Sequence, residues 1–147
     1  MNAPGPGVGT PQDGTFLVRP IGWVRSPLAD PGAAPKQGGA GAPDAWLELV
    51  PQVAPAAAEL AAGDRIVVLT WLHRADRTVL RVHPQDNPAN PEQGVFGTRS
   101  QDRPNPIGLH ETTVLAVADG RIQVAGLEAV DGTPVLDLKP ALRPAGG

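Results

Sequence analysis

The chain of 147 residues contains no cysteine. That excludes disulfides, thiolate chemistry and cysteine-ligated zinc, and it suits a reducing compartment. No apolar run approaches the roughly 18 residues of a membrane-spanning helix. The opening segment "MNAPGPGVGTPQDG" has neither the basic nor the apolar region of a signal peptide. A cytoplasmic protein without a membrane association is expected. The histidines His73, His83 and His110 form no HxxH or HExxH spacing, so no metal site is expected. Ser26 and Ser100 lie in no G-x-S-x-G elbow, and Gly38, Gly39 and Gly41 form neither a Walker nor a dinucleotide fingerprint. Serine hydrolase and nucleotide hydrolase chemistry are disfavoured accordingly.

Proline and glycine, by contrast, number 18 each. They gather in residues 1–14, 27–43 and 84–106 and at the C-terminus, between apolar, patterned stretches. The expected organisation is a tail over 1–13, one domain over 14–142 and a short tail over 143–147. Strands are expected over 16–27, 45–50, 65–73, 77–83, 95–98 and 133–140. The segment 65–73, "RIVVLTWLH", is nearly all apolar and reads as a strand buried on both faces. Residues 111–130 read as a hairpin around Asp119-Gly120. Residues 54–64 read as the one short helix, with Pro55 near its start and Gly63 as its stop. The fold class is all-β, a small barrel or sandwich with long loops.

Charge is uneven. Residues 65–110 carry six arginines and four acids, while the whole chain has net charge −3. A locally positive region on an acidic protein can steer an anionic partner, or it can be a solvated surface. Within it, "TRSQDRPNPIG" (98–108) is neither strand nor helix, because Pro104 and Pro106 restrict Arg103 and Asn105 and remove two donors. Arg99 can offer a fixed fork to a carboxylate or phosphate. The stiff loop can present Asn105 and backbone groups to a flat heterocycle at low ordering cost. The plainer alternative is a rigid crossover with Arg99 or Arg103 paired to Asp102 or Asp137. Glu128, Asp131 and Asp137 fall near strand ends, where they could accept hydrogen bonds from a ligand or cap turns.

The motifs "PIGWVRSP", "GVFGTRSQDRPNPIG" and "LEAVDGTPVLDLKP", in this order, resemble the TsaA-like (YaeB/TrmO) family over about residues 16–142. The resemblance implies a small, mostly β barrel that forms homodimers and binds S-adenosylmethionine near the subunit interface. It further implies a methyltransferase acting on threonylcarbamoyladenosine beside the anticodon of tRNA. Alternatives within the same fold are a methyltransferase with a small-molecule acceptor and a binding barrel without turnover. Matching positions imply cofactor contacts at Gln37, Gly38, Gly39, His73, Arg74, Arg99, Leu109, Leu127 and Glu128. Arg103, Asn105 and Lys139 are assigned to the substrate, and His73, Asp131 and Asp137 are the candidates for a general base. The sequence departs from the family pattern at Lys36, Gly38, Glu128 and Ala141. It ends at Gly147, so the extra C-terminal domain of longer members is expected to be absent.

Overall fold

The computed structural model describes residues 13–29 and 41–142. The tails, apart from Asp13, and the centre of the first long loop lie outside these residues. Eight strands follow in order: β1 (Gly22–Arg25), β2 (Ala45–Leu49), β3 (Arg65–Trp71), β4 (Arg81–Val82), β5 (Gln93–Gly94), β6 (Ile107–Ala118), β7 (Arg121–Val124) and β8 (Pro134–Pro140). Six of them close a barrel in the order β1-β2-β7-β6-β3-β8, with β8 returning to pair with β1, and every pairing is antiparallel. β4 and β5 form a separate two-stranded ribbon in the excursion between β3 and β6.

Period-two alternation explains the core. Val24, Leu47, Ile66, Val68, Val114, Ile122, Val124 and Val135 point inward and are fully or almost fully buried. Each such aliphatic side chain contributes about 1.5–3 kcal/mol on leaving water. β6 is long enough to serve two neighbours: its first half pairs with β3 and its second with β7, with a register shift between Val114 and Ala116. A bulge of this kind bends a strand round a barrel corner. The β6–β7 turn holds Asp119 and Gly120 at φ 49° and 75°, the left-handed pair that a two-residue hairpin of type I′ demands.

Several expected elements are shorter or different. The strand expected over 16–27 is confined to Gly22–Arg25, and Phe16, Leu17 and Val18 are exposed. The segment expected as a helix over 54–64 is a 3₁₀ stretch over Pro51–Ala57, followed by turns. Pro55 lies inside it and has no N–H to give to Pro51, so an α-helical turn cannot form there. β3 is half-buried rather than buried on both faces: Ile66, Val68 and Thr70 face inward while Val67, Leu69 and Trp71 are partly exposed. The strand expected over 77–83 survives only as Arg81–Val82, because Asp76 accepts from the Thr78 N–H and hydroxyl and turns the chain there. Residues 95–97 form a 3₁₀ turn in place of the strand expected over 95–98.

Candidate functional site

The outward residues of β3, β6 and β8 build a groove of about 470 Å³ on the barrel wall. Register places them side by side: Val67 is opposite Glu111 and Lys139, and Leu69 is opposite Leu109 and Asp137. Val67, Leu69, Leu109, Pro140 and Leu142 give the groove an aliphatic lining, and Arg99, Glu111 and Lys139 are its charged members. Arg99 arrives from the loop that precedes β6.

The charges differ in their commitments. Lys139 Nζ lies 3.1 Å from Asp137 Oδ2. Glu111 Oε2 lies 3.5 Å from the Arg65 guanidinium, which also donates to Thr113 at 3.1 Å. Arg99 makes no hydrogen bond or ion pair with another described residue. Its charge is therefore the uncompensated one among the described groove residues, and a fixed anion is its natural complement.

The other arginines of the positive region are engaged. Arg103 donates to the carbonyls of Ser100, Val95 and Thr98 at 2.6, 3.0 and 2.5 Å. These acceptors all lie within its own loop. Arg77, which sequence reasoning did not single out, donates to Pro104 O at 2.7 Å and Asn105 Oδ1 at 2.9 Å, and lies over the Trp71 ring at 5.1 Å. Asn105 is thus held by Arg77. Arg81 pairs with Glu92 at 2.8 Å. Asp102 accepts from the Asp76 N–H and not from an arginine.

A second group of expected residues sits at one mouth of the barrel. Arg74, just after β3, reaches Ala29 O at 3.4 Å, and His73 beside it is exposed. Leu127 has its side chain in the core, and its N–H donates to Pro43 O at 2.9 Å. Glu128 follows it, and partial burial pushes its carboxyl above the ordinary carboxylate range. Asp131 Oδ1 accepts from the Ser26 N–H at 3.0 Å and its own N–H donates to Leu28 O, which ties the β7–β8 loop to the end of β1. Gln37, Gly38 and Gly39 lie outside the described residues. The groove thus gathers Arg99, Leu109 and Lys139, with Asp137 alongside, but His73, Arg74, Leu127 and Glu128 do not line it.

Behind the groove, His110 points into the barrel between two outward residues. Its Nε2 is 2.9 Å from Thr70 Oγ1, its Nδ1 is buried without a partner, and burial lowers its pKa to about 4. It is a neutral core histidine at physiological pH. Among the described residues no cluster of three or more His, Asp or Glu side chains is placed to hold a metal ion, and no helix is long and apolar enough to cross a membrane.

Fold and site together define a class: a small closed β-barrel whose interior is filled and whose candidate binding surface is its outer wall. The chain belongs to the family described as the tRNA-methyltransferase O N-terminal domain, whose model matches residues 23–145. Among curated proteins it is 41% identical to a "Probable S-adenosyl-L-methionine-binding protein" of Methanothermobacter thermautotrophicus, covering 87% of this chain and 91% of that one. It is 38% identical to an "S-adenosyl-L-methionine-binding protein" of Archaeoglobus fulgidus, covering 84% and 88%. Of solved structures, it matches a TrmO crystal structure with TM-score 0.70 at 34% identity, covering 87% of this chain and 58% of that one. TrmO from Pseudomonas aeruginosa matches with TM-score 0.68 at 31% identity, covering 87% and 56%. The chain thus spans just over half the length of these solved proteins.

Proposed function

We propose that the protein is an S-adenosylmethionine-dependent methyltransferase that N-methylates threonylcarbamoyladenosine beside the anticodon of tRNA, in the cytoplasm. The observation that carries the reading is the uncommitted guanidinium of Arg99 beside the aliphatic surface of Val67, Leu69 and Leu109. S-adenosylmethionine, when bound, supplies a methyl group activated by a sulfonium centre. The residues present suit it. The aliphatic wall suits a flat purine, Arg99 can donate to a carboxylate, and Glu111 and Asp137 offer acceptors to an ammonium or to ribose hydroxyls. The groove volume of about 470 Å³ falls within the roughly 300–1,000 Å³ usual for small-ligand sites.

The chain contributes mainly positioning. Alignment of donor and acceptor removes several kcal/mol from a bimolecular transfer. The acceptor nitrogen is conjugated to a carbamoyl group, so its proton is already acidified. Asp131 is tied to Ser26, and Asp137 faces Lys139, which leaves exposed His73 as the candidate freest to take a proton.

The residues assigned to one cofactor divide between the wall and the mouth, which favours a homodimer in which each copy supplies one set. Ile107, Leu109, Leu115 and Val117 are exposed apolar residues along β6 and give such a pairing a surface. Mixing Arg99→Ala with Glu128→Ala protein is then expected to restore activity that neither has alone. Two measurements test the function. Calorimetric titration should detect S-adenosylmethionine binding; none at millimolar ligand would refute the cofactor assignment. Mass spectrometry of nucleosides after incubation with threonylcarbamoyladenosine-containing tRNA should reveal the methylated product. Binding without that product would point instead to a small-molecule acceptor.

A further inference from the structure

The loop that carries Arg99 is fastened at nearly every step except Arg99 itself. Arg103 gathers the carbonyls of Val95, Thr98 and Ser100. The Thr98 N–H donates to Val95 O at 3.0 Å, and the Ser100 N–H donates to Thr98 Oγ1 at 3.2 Å. Asp102 is held by the Asp76 N–H at 2.9 Å. Arg77 takes the carbonyl of Pro104 and the side-chain oxygen of Asn105 in one fork, with Trp71 under its guanidinium. Pro106 O then accepts from the Leu72 N–H at 2.8 Å, which joins the loop to the end of β3. Arg77 and Arg103 thus use their donors on this loop, Arg103 at residues on both sides of Arg99 and Arg77 at residues after it.

We propose that Arg77 and Arg103 are positioning residues that hold the 98–106 loop so that Arg99 is presented to the groove already ordered. The functional consequence rests on the reading of that groove as the cofactor site; the ordering itself does not. The loop lacks ladder hydrogen bonds, because Pro104 and Pro106 have no N–H to give. Two guanidiniums replace the missing ladder, each spanning acceptors that a lysine ammonium could not reach together. Arg99 then binds without first losing backbone freedom, and the ligand does not bear that ordering cost.

Arg77→Lys and Arg103→Lys keep the charge and remove the fork. In ligand-free protein, amide exchange at Thr98 and Ser100 is expected to quicken by about tenfold or more in both variants and to stay unchanged in Arg99→Ala. Wild-type exchange rates in both lysine variants would overturn the proposal. Arg77 is exposed and Arg103 partly buried; circular dichroism checks that each variant is folded, and either one suffices for the comparison. The second readout is S-adenosylmethionine affinity in a double-mutant cycle. Arg77→Lys should weaken binding about fivefold in the wild-type background and less than twofold in the Arg99→Ala background, because the two act as one unit. Equal losses in both backgrounds would overturn positioning through Arg99. Should the wild-type protein not bind the cofactor, the functional reading falls, and the exchange result alone decides the ordering claim.

Discussion

Thr70 and His110 face each other inside the barrel and share a hydrogen bond of 2.9 Å, on strands whose outward neighbours, Leu69, Leu109 and Glu111, line the groove. The wall's chemistry and a buried polar pair are therefore built back to back.

The pair makes stability depend on pH. Burial lowers the His110 pKa from 6.5 to about 4, so the folded state holds that proton less tightly than the unfolded state. The stabilisation from the neutral ring is complete above about pH 6.5 and is lost as pH falls from there toward 4, to a total of about 3 kcal/mol. Urea denaturation should find about 2 kcal/mol of it gone by pH 5. His110→Gln should flatten this dependence; an unchanged slope would assign the loss to other groups. Glu128 acts with the opposite sign, since its raised pKa means that protonation relieves a cost of burial.

Gly108 leaves room for this pair. A Cβ placed there would come within 2.8 Å of His110 Nε2 and still nearer Thr70 Oγ1, with Leu72 Cδ2 at 3.3 Å. Gly108→Ala should cost about 1–3 kcal/mol through forced displacement of packed groups. A loss under about 0.5 kcal/mol in chemical denaturation would show that the strand yields freely.

Arg99 and Lys139 should respond unequally to truncation. Arg99→Ala is expected to weaken S-adenosylmethionine binding by more than about tenfold while leaving the melting temperature unchanged, since a charge-assisted bond carries roughly 1.5–3 kcal/mol. Lys139 already faces Asp137 and is well exposed, so Lys139→Ala should cost less than about fivefold. Isothermal titration of the two variants decides the order; a larger loss at Lys139 would move the anion to the β8 side.

Asp131 should prove a fastening and not a base. It accepts from the Ser26 N–H. Asp131→Ala is therefore expected to lower stability by about 1 kcal/mol and to leave the methyl-transfer rate within about twofold. A lost rate with an unchanged melting temperature would give it a part in proton transfer.

The barrel was legible wherever side-chain alternation and turn chemistry agreed. The β6–β7 hairpin is the clearest case, since Asp119-Gly120 supplies the two left-handed residues that the turn requires. β3 misled through its outward residues. Val67, Leu69 and Trp71 are apolar, as a core demands, yet they are partly exposed on the outer wall, where Val67 and Leu69 line the groove, and hydrophobicity alone does not distinguish a packed face from a groove-lining one. Residues 95–98 looked like a strand, but the carbonyls of Val95 and Thr98 are claimed by Arg103 rather than by a neighbouring strand. Of the groove's lining, Arg99 was singled out by its guanidinium chemistry as well as by motif resemblance, Leu109 by resemblance, and Lys139 as an expected substrate contact. Arg77 was not, because its partners Pro104 and Asn105 are 27 and 28 residues away, a separation that no local pattern encodes.

The filled interior has a consequence for how this barrel can change. Residues 66, 68, 110 and 112 face the packed inside, and residues 67, 69, 109 and 111 between them face outward. Neighbours in the chain thus answer to separate requirements, one set to the packed core and the other to the lining of the groove. A library confined to the outward positions would vary the groove with little loss of folded protein, and an inward library would raise heat tolerance without altering the groove's lining.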